Sequence, residues 1–358
     1  MSGSTGSPAS PSEGDVSRAG VLALPKAELH VHLDGSIRPA TMLELAEEAG
    51  VAMPASDADS LAEVMRADDS DDLVAYLKAF ATTLSVMQTA SQLERVAYEL
   101  AVDHAAENVK WVEVRFSPWL NTQGGLSMEE VMDSVLAGLR RAEAEADVRT
   151  GVIVCALRHL HPDISMALAE LAVAYRDRGV VAVDLAAAEA GNPAALHAEA
   201  FRYAAEHDLS RTVHAGEAFG PPSIRQALLD CDAHRIGHGT RLQEDESLER
   251  YVRDHRIPLE ICLTSNVQTR VARTFAEHPV RRYFDRGIPL TLCTDNRLVS
   301  GTTVTDEYLL AHEHLGFTMA ELEQVARMGF EAAFLPWPEK REMVERSFGQ
   351  GSRQGRIA

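Results

Sequence analysis

Short runs of β-branched and apolar residues alternate along this chain with longer stretches whose apolar positions recur at helical spacing. Eight such runs fall at Glu28–Leu33, Lys110–Phe116, Gly151–Leu157, Val180–Leu185, Arg211–His214, His234–His238, Pro258–Leu263 and Pro289–Cys293. Each is followed by a helical candidate, which is the pattern of repeated βα units. Thr41–Ala49, Leu73–Met87, Leu93–Asn108 and Met128–Ala146 carry apolar residues on one helical face and charge elsewhere. The pattern predicts an α/β fold, a single (β/α)8 TIM barrel with an outer ring of helices. Several helical stretches separate the first two runs, so extra helices are expected after strand 1, over part of the barrel mouth. Glu321–Met328 and Glu339–Phe348 predict further helices at the C-terminus. Tyr76, Leu77 and Phe80 recur at helical spacing in the insertion, as a core stripe or as an apolar gate over the site.

Length and composition narrow this picture. A chain of 358 residues can bury one large core, and barrels of this size are ordinary single domains. The first twenty residues are rich in Ser, Gly, Pro and Asp and lack an apolar core, so they read as a flexible tail and not as a signal peptide. The expected organisation is a tail at 1–20, one metal-dependent barrel domain at 21–348, and a second tail at 349–358. No apolar stretch approaches the ~20 residues that span a bilayer, so no membrane partner is expected. A formal charge of -20 disfavours nucleic acid, whose binding draws on basic surface. Cys155, Cys231, Cys262 and Cys293 are widely spaced and form no Cys-x-x-Cys pair, which fits a reduced, cytoplasmic setting. Nothing in the sequence specifies an oligomeric state.

Residues with ligand chemistry gather at the C-terminal ends of the expected strands, where barrel enzymes carry their active sites. In Glu28-Leu29-His30-Val31-His32-Leu33-Asp34-Gly35, strand alternation puts His30 and His32 on one face. They are metal ligands or a pair of hydrogen-bonded core histidines. His214-Ala215-Gly216-Glu217 supplies an imidazole and a carboxylate, although such a segment is also common on surfaces. Gly237-His238-Gly239 allows close approach to an imidazole, or marks a buried turn histidine. Leu290–Cys293 runs straight into Asp295, a charge that is expensive there unless paired or coordinated; a plain strand-end Asp-Asn turn is the alternative.

These segments, with Leu24–Lys26 ahead of them, Glu113–Pro118, Leu263–Asn266 and Thr294-Asp295-Asn296, resemble the adenosine deaminase family in order and spacing over about residues 22 to 348. The resemblance implies one Zn²⁺ per subunit held by His30, His32, His214 and Asp295, a metal that lowers the pKa of a bound water toward ~7. It implies Glu217 as the proton shuttle to purine N1, His238 as the residue supporting the attacking water, and Asp295 as an additional acceptor from that water. It places Asp34 at the sugar hydroxyls, where relatives acting on free adenine tend to carry Glu. Asn296 stands where many relatives carry a second Asp against purine N7, and an amide can donate there directly.

Ala187 departs from the family, whose usual Gly brings a backbone amide to purine N3. At positive φ its methyl group is penalised. The resemblance therefore implies hydrolytic deamination of adenosine or 2′-deoxyadenosine to inosine and ammonia. A modified nucleoside such as aminodeoxyfutalosine or a 5′-substituted adenosine is the alternative that Ala187 keeps open, and a catalytically silent nucleoside-binding protein is the third. His312-Glu313-His314 reads as a solvated helix face, and His197-Ala198-Glu199 lacks the Pro-Cys-x-x-Cys of cytidine-type deaminases. Arg158–His161 follows the third run, where it can line the pocket.

Overall fold

A computed structural model describes residues 16–66 and 79–349. Eight parallel strands follow one another in chain order around the sheet: β1 (Lys26–His32), β2 (Val109–Phe116), β3 (Arg149–Leu157), β4 (Val180–Ala186), β5 (Ser210–Ala215), β6 (Arg235–His238), β7 (Leu259–Ile261) and β8 (Leu290–Leu292). Each pairs with the next in parallel. Closure comes from a bridge between Val31 and Asp295, where the His32 amide donates to the Asp295 carbonyl at 2.7 Å and the Asp295 amide to the His30 carbonyl at 2.8 Å. The barrel thus closes through the residues expected to carry its chemistry.

All eight expected strands are present, with ends displaced by a residue or two. The seventh is the most shortened, because Leu263 opens the helix Leu263–Gln268, whose first amides donate to the buried Glu307 carboxylate. Helices Pro39–Ala49, Ala58–Met65, Ala79–Leu84 and Ala90–Ala106 form the insertion between β1 and β2. Of the expected helix 73–87, residues 73–78, including Tyr76 and Leu77, lie outside the described residues, and the helix that is described ends at Leu84. The expected tail is helical from Arg18: helix Arg18–Ala23 is capped by Ser17 and buries Val21, and Lys26 Nζ donates to the Val21 and Leu24 carbonyls. A chain segment with a cap and a buried anchor is ordered, which the polar composition of residues 1–20 taken together masked.

The C-terminal helices Met319–Ala332 and Trp337–Phe348 pack on the barrel, burying Phe330, Ala333 and Met343 with Ala27, Leu29 and Trp111. No helix among the described residues is long and apolar enough to cross a membrane.

Much of the barrel interior is ionic. Along β2, alternation sends Val112, Val114 and Phe116 to the outer core and Glu113 and Arg115 to the opposite face. Arg115 bonds Asp184 and Glu260, each at 2.8 Å, and Arg235 bonds Glu260 at 2.7 Å and also Glu113. Thr212 adds its hydroxyl to Glu260 at 2.9 Å. All three carboxylate partners of the two guanidinium groups are supplied from strands, so fixed charge sits directly beneath the mouth. Buried charge persists only when paired in this way.

Candidate active site

The strand ends bring His30, His32, His214, His238 and Asp295 to one place. His32 Nε2 lies 3.2 Å from His214 Nε2 and 3.4 Å from Asp295 Oδ1, and His30 Nε2 lies 3.4 Å from the same oxygen. Donor atoms of His30, His214, His238 and Asp295 all fall within 4.8 Å of one another. Ligands at zinc's usual ~2.0–2.1 Å in a tetrahedron stand about 3.3–3.4 Å apart, close to the three short separations among His30, His32, His214 and Asp295.

The hydrogen bonds behind the rings determine what the rings present. His30 Nδ1 lies 2.7 Å from Glu260 Oε2, and His214 Nδ1 lies 3.0 Å from Asp184 Oδ2. Burial opposes charge on Glu260, but Arg115 and Arg235 hold it well below the usual carboxylate range. A neutral imidazole that donates from Nδ1 presents a lone pair at Nε2. The fully buried Nε2 of His30 has no hydrogen-bond partner among the described residues and faces the Asp295 carboxylate. Burial would raise the Asp295 pKa, but His30, His238 and His32 hold it well below its ordinary value. Convergent lone pairs around an ionised carboxylate call for a cation. Imidazole and carboxylate donors with carboxylates behind the imidazoles suit a divalent transition metal.

Above this cluster is a cavity of about 250 Å³, just below the ~300–1,000 Å³ typical of small-molecule sites. Its lining includes Phe80, Leu84, Leu120, Leu157 and Ala187, with Asp34, Glu217 and Asn296 as polar groups. Phe80, alone of the expected stripe, lies among the described residues and lines this cavity, as does His159 after β3. Burial pushes the Glu217 carboxyl well above its ordinary pKa, and Asp295 and Glu189 push it in the same direction. Its oxygen lies 3.7 Å from His238 Nε2. Burial raises Asp34 to about 7.

Backbone conformation supports the placement. His238, Asp295 and Ala187 all adopt left-handed φ, at 62°, 60° and 72°, which costs a residue with a Cβ and recurs at functional sites. The glycine-like conformation at Ala187 is therefore kept without the glycine. A Cβ on Gly35 would stand 1.7 Å from the Asn296 side-chain oxygen, so only glycine lets that amide sit beside Asp34.

The model of the adenosine deaminase family matches residues 25–347. The chain is 43% identical to adenosine deaminase from Mycolicibacterium vanbaalenii over 337 residues, covering 90% of this chain and 93% of that one. The chain belongs to the adenosine deaminase family. A probable adenosine deaminase of Dictyostelium discoideum is 42% identical over 329 residues; the match covers 92% of this chain but 43% of that longer relative. Among solved structures, the N6-methyl-AMP deaminase of Arabidopsis thaliana superposes with a TM-score of 0.81 at 30% identity, covering 94% of this chain and 99% of that one. Membership makes the chain a hydrolytic deaminase of adenosine-type substrates.

Several residues of this deaminase site were not singled out from the sequence. Asp184, Glu260 and Arg115 support the histidines from behind. Glu189 accepts backbone hydrogen bonds from Gly216 at 2.7 Å, Glu217 at 3.1 Å, Ala218 and Phe219, and so fixes the loop that carries Glu217. Each is a charge next to or within an apolar strand run, and the cost of such a charge was the available signal. Outside the site, His197 is a buried residue bonded to Ser165 at 2.8 Å, and His312 bonds the Phe317 carbonyl at 2.8 Å. Neither approaches the cluster of donor atoms.

Proposed function

We propose that this chain is a zinc-dependent hydrolase that deaminates adenosine or 2′-deoxyadenosine to inosine and ammonia, with His30, His32, His214 and Asp295 as the metal ligands. The observation that carries the reading is the set of separations of 3.2 to 3.4 Å linking these four, directly beneath a carboxyl that burial keeps protonated. Bound zinc supplies Lewis acidity that brings the pKa of a water toward ~7.

The chain's own residues supply the rest. Glu217 delivers its proton to purine N1, relieving the negative charge that accumulates on the ring as oxygen adds at C6, and then passes a proton from that oxygen to the amino nitrogen, so that the C6–N bond breaks and ammonia leaves. Asp295 accepts a hydrogen bond from the attacking water, and His238 steadies its oxygen. Asn296 donates to N7, the Ala187 amide meets N3, and Asp34 binds sugar hydroxyls. Phe80 and Leu84 cover the cavity and limit entry of solvent.

The described lining contains no Lys or Arg, which favours an uncharged nucleoside over a nucleotide such as the one named for the Arabidopsis neighbour. The Ala187 methyl motivates a second reading, a modified nucleoside such as aminodeoxyfutalosine or a 5′-substituted adenosine. The four unpaired, buried cysteines fit a reducing cytoplasm.

The test is a panel of adenosine, 2′-deoxyadenosine, AMP, N6-methyl-AMP, adenine and the modified nucleosides, offered to zinc-loaded protein with ultraviolet absorbance and ammonia recorded. Adenosine or its deoxy analogue should win in kcat/KM. A modified nucleoside or a nucleotide in first place replaces the substrate assignment. Calorimetric binding without any ammonia would instead make the chain a silent nucleoside binder.

A further inference from the structure

His238 differs from His30 and His214 in what stands behind its ring. No carboxylate accepts from its Nδ1; the partner there is the side-chain amide nitrogen of Asn266 at 3.1 Å. Which end of that amide faces His238 follows from two further contacts. The Val280 backbone N–H donates to His278 Nδ1 at 3.1 Å, so the neutral His278 ring carries its proton on Nε2. Burial lowers the His278 pKa to about 3, which keeps the ring neutral. His278 Nε2 lies 3.1 Å from Asn266 Oδ1, and the Thr240 hydroxyl donates to that same oxygen at 2.8 Å. A flipped amide would set its N–H against the His278 N–H, so Oδ1 faces His278 and Nδ2 faces His238. The amide nitrogen can only donate, hence His238 Nδ1 accepts and its Nε2 bears the proton.

We infer that Asn266, backed by His278, is a positioning residue that locks His238 into the Nε2–H tautomer, so that this ring presents a donor and not a lone pair to the reacting oxygen. The chain of bonds runs one way, from the Val280 amide through His278 and Asn266 to His238. The inference rests on the deaminase reading above for its catalytic consequence. It also separates the two possible donor sets: His238 is near the metal cluster but has no free electron pair to offer it, whereas His30 and His214, backed by Glu260 and Asp184, do. All of these side chains are buried, so water does not rearrange the chain.

The test uses zinc-loaded protein with ¹⁵N-labelled histidine, the His238 signals being assigned by their loss in His238→Gln. Long-range ¹H–¹⁵N correlations report which ring nitrogen is protonated. The wild type should show the Nε2–H pattern. Asn266→Asp replaces the donor with a carboxylate that accepts, so His238 should switch to Nδ1–H. A lost transition-state donor costs roughly 10²–10³-fold in kcat, and a wrong histidine tautomer costs about 10⁴-fold in a serine protease. The fall in kcat should lie in or near that range, with zinc content unchanged and KM within about threefold, because substrate contacts are untouched.

His278→Gln keeps a donor for Asn266 Oδ1 and should retain the wild-type pattern. His278→Leu removes it and should give mixed tautomers and a lower kcat. This pair decides the matter should Asn266→Asp fail to fold by circular dichroism. An Nδ1–H pattern in the wild type, or Asn266→Asp with unchanged tautomer and kcat within about twofold, overturns the inference. The spectra are read without substrate, so absence of turnover on every nucleoside would reject the proposed function while the tautomer is still decided.

Discussion

Glu260 Oε2 lies 2.7 Å from His30 Nδ1, and its carboxylate also accepts from Arg115, Arg235 and Thr212. One buried acid thereby orients an imidazole of the donor cluster and bridges two guanidinium groups. Replacing it with Gln keeps the shape but removes the charge. A carboxylate behind a metal-binding histidine is commonly worth about 10–100-fold in metal affinity, so Glu260→Gln should weaken zinc binding by that factor. Arg115 keeps Asp184 and Arg235 keeps Glu113, so loss of the shared carboxylate should cost less than the about 3–5 kcal/mol of a fully broken buried pair. Competition against a chromogenic chelator and thermal unfolding read the two effects separately. Wild-type affinity in a destabilised variant would confine Glu260 to the core.

Glu217 lines the cavity, burial pushes its carboxyl well above its ordinary pKa, and its oxygen lies 3.7 Å from His238 Nε2. Glu217→Gln preserves size and polarity but has no proton to exchange. Turnover should fall by about 10²–10⁴-fold, the usual contribution of a general acid, while zinc content stays at one per chain. Elemental analysis beside steady-state kinetics checks both halves. Substantial residual activity would place the proton source elsewhere in the cavity.

Asp295 and Glu260 are both charges at the end of, or inside, apolar strand runs, yet only Asp295 stood out in the sequence. Short β-branched and apolar runs between helical stretches were enough to locate every strand of the barrel, and strand ends were enough to bring His30, His214, His238 and Asp295 into one cluster, because a closed parallel barrel gathers those ends whatever lies between them. The identity of the residues behind the rings was not legible in the same way. Whether Glu260 meets His30 or Asn266 meets His238 depends on register between strands and on a helix that replaces the end of the seventh run. Linear spacing does not encode either. Helix Arg18–Ala23 escaped notice for a related reason: the polar composition of the residues ahead of it conceals a short capped turn, RAGVLA, that a buried valine anchors.

Ala187 holds φ at 72°, in the left-handed region, at the edge of the cavity. That conformation costs a residue with a Cβ about 1–2 kcal/mol, against roughly 0.5–1 kcal/mol of extra chain entropy for glycine. Ala187→Gly should therefore stabilise the protein by about 0.5–1 kcal/mol in urea unfolding. The amide stays in place and the methyl leaves, so KM for adenosine should fall or hold. A rise in KM for one modified nucleoside alone would mark the methyl as a contact selected for that substrate.

Glu107 ties the segment after Asp295 to the insertion, accepting from the Arg297 side chain and, at 2.8 Å, from the Thr305 amide. Burial alone would raise its pKa, but Arg297, His104 and the Thr305 N–H outweigh that and hold it at about 2, against an ordinary 4.5. A carboxyl with a folded pKa below its unfolded one binds fewer protons when folded. Its stabilisation is complete above about pH 4.5 and is lost as pH falls toward 2. The difference amounts to up to roughly 3 kcal/mol. In Glu107→Gln that contribution disappears, so the variant should be less stable by about this amount at neutral pH, and the gap to wild type should narrow steadily as pH falls through the window. Urea unfolding of both proteins across this range tests the linkage: two curves that run parallel would mean that the Glu107 charge contributes nothing, and that the side chain only fills space between Arg297 and Thr305.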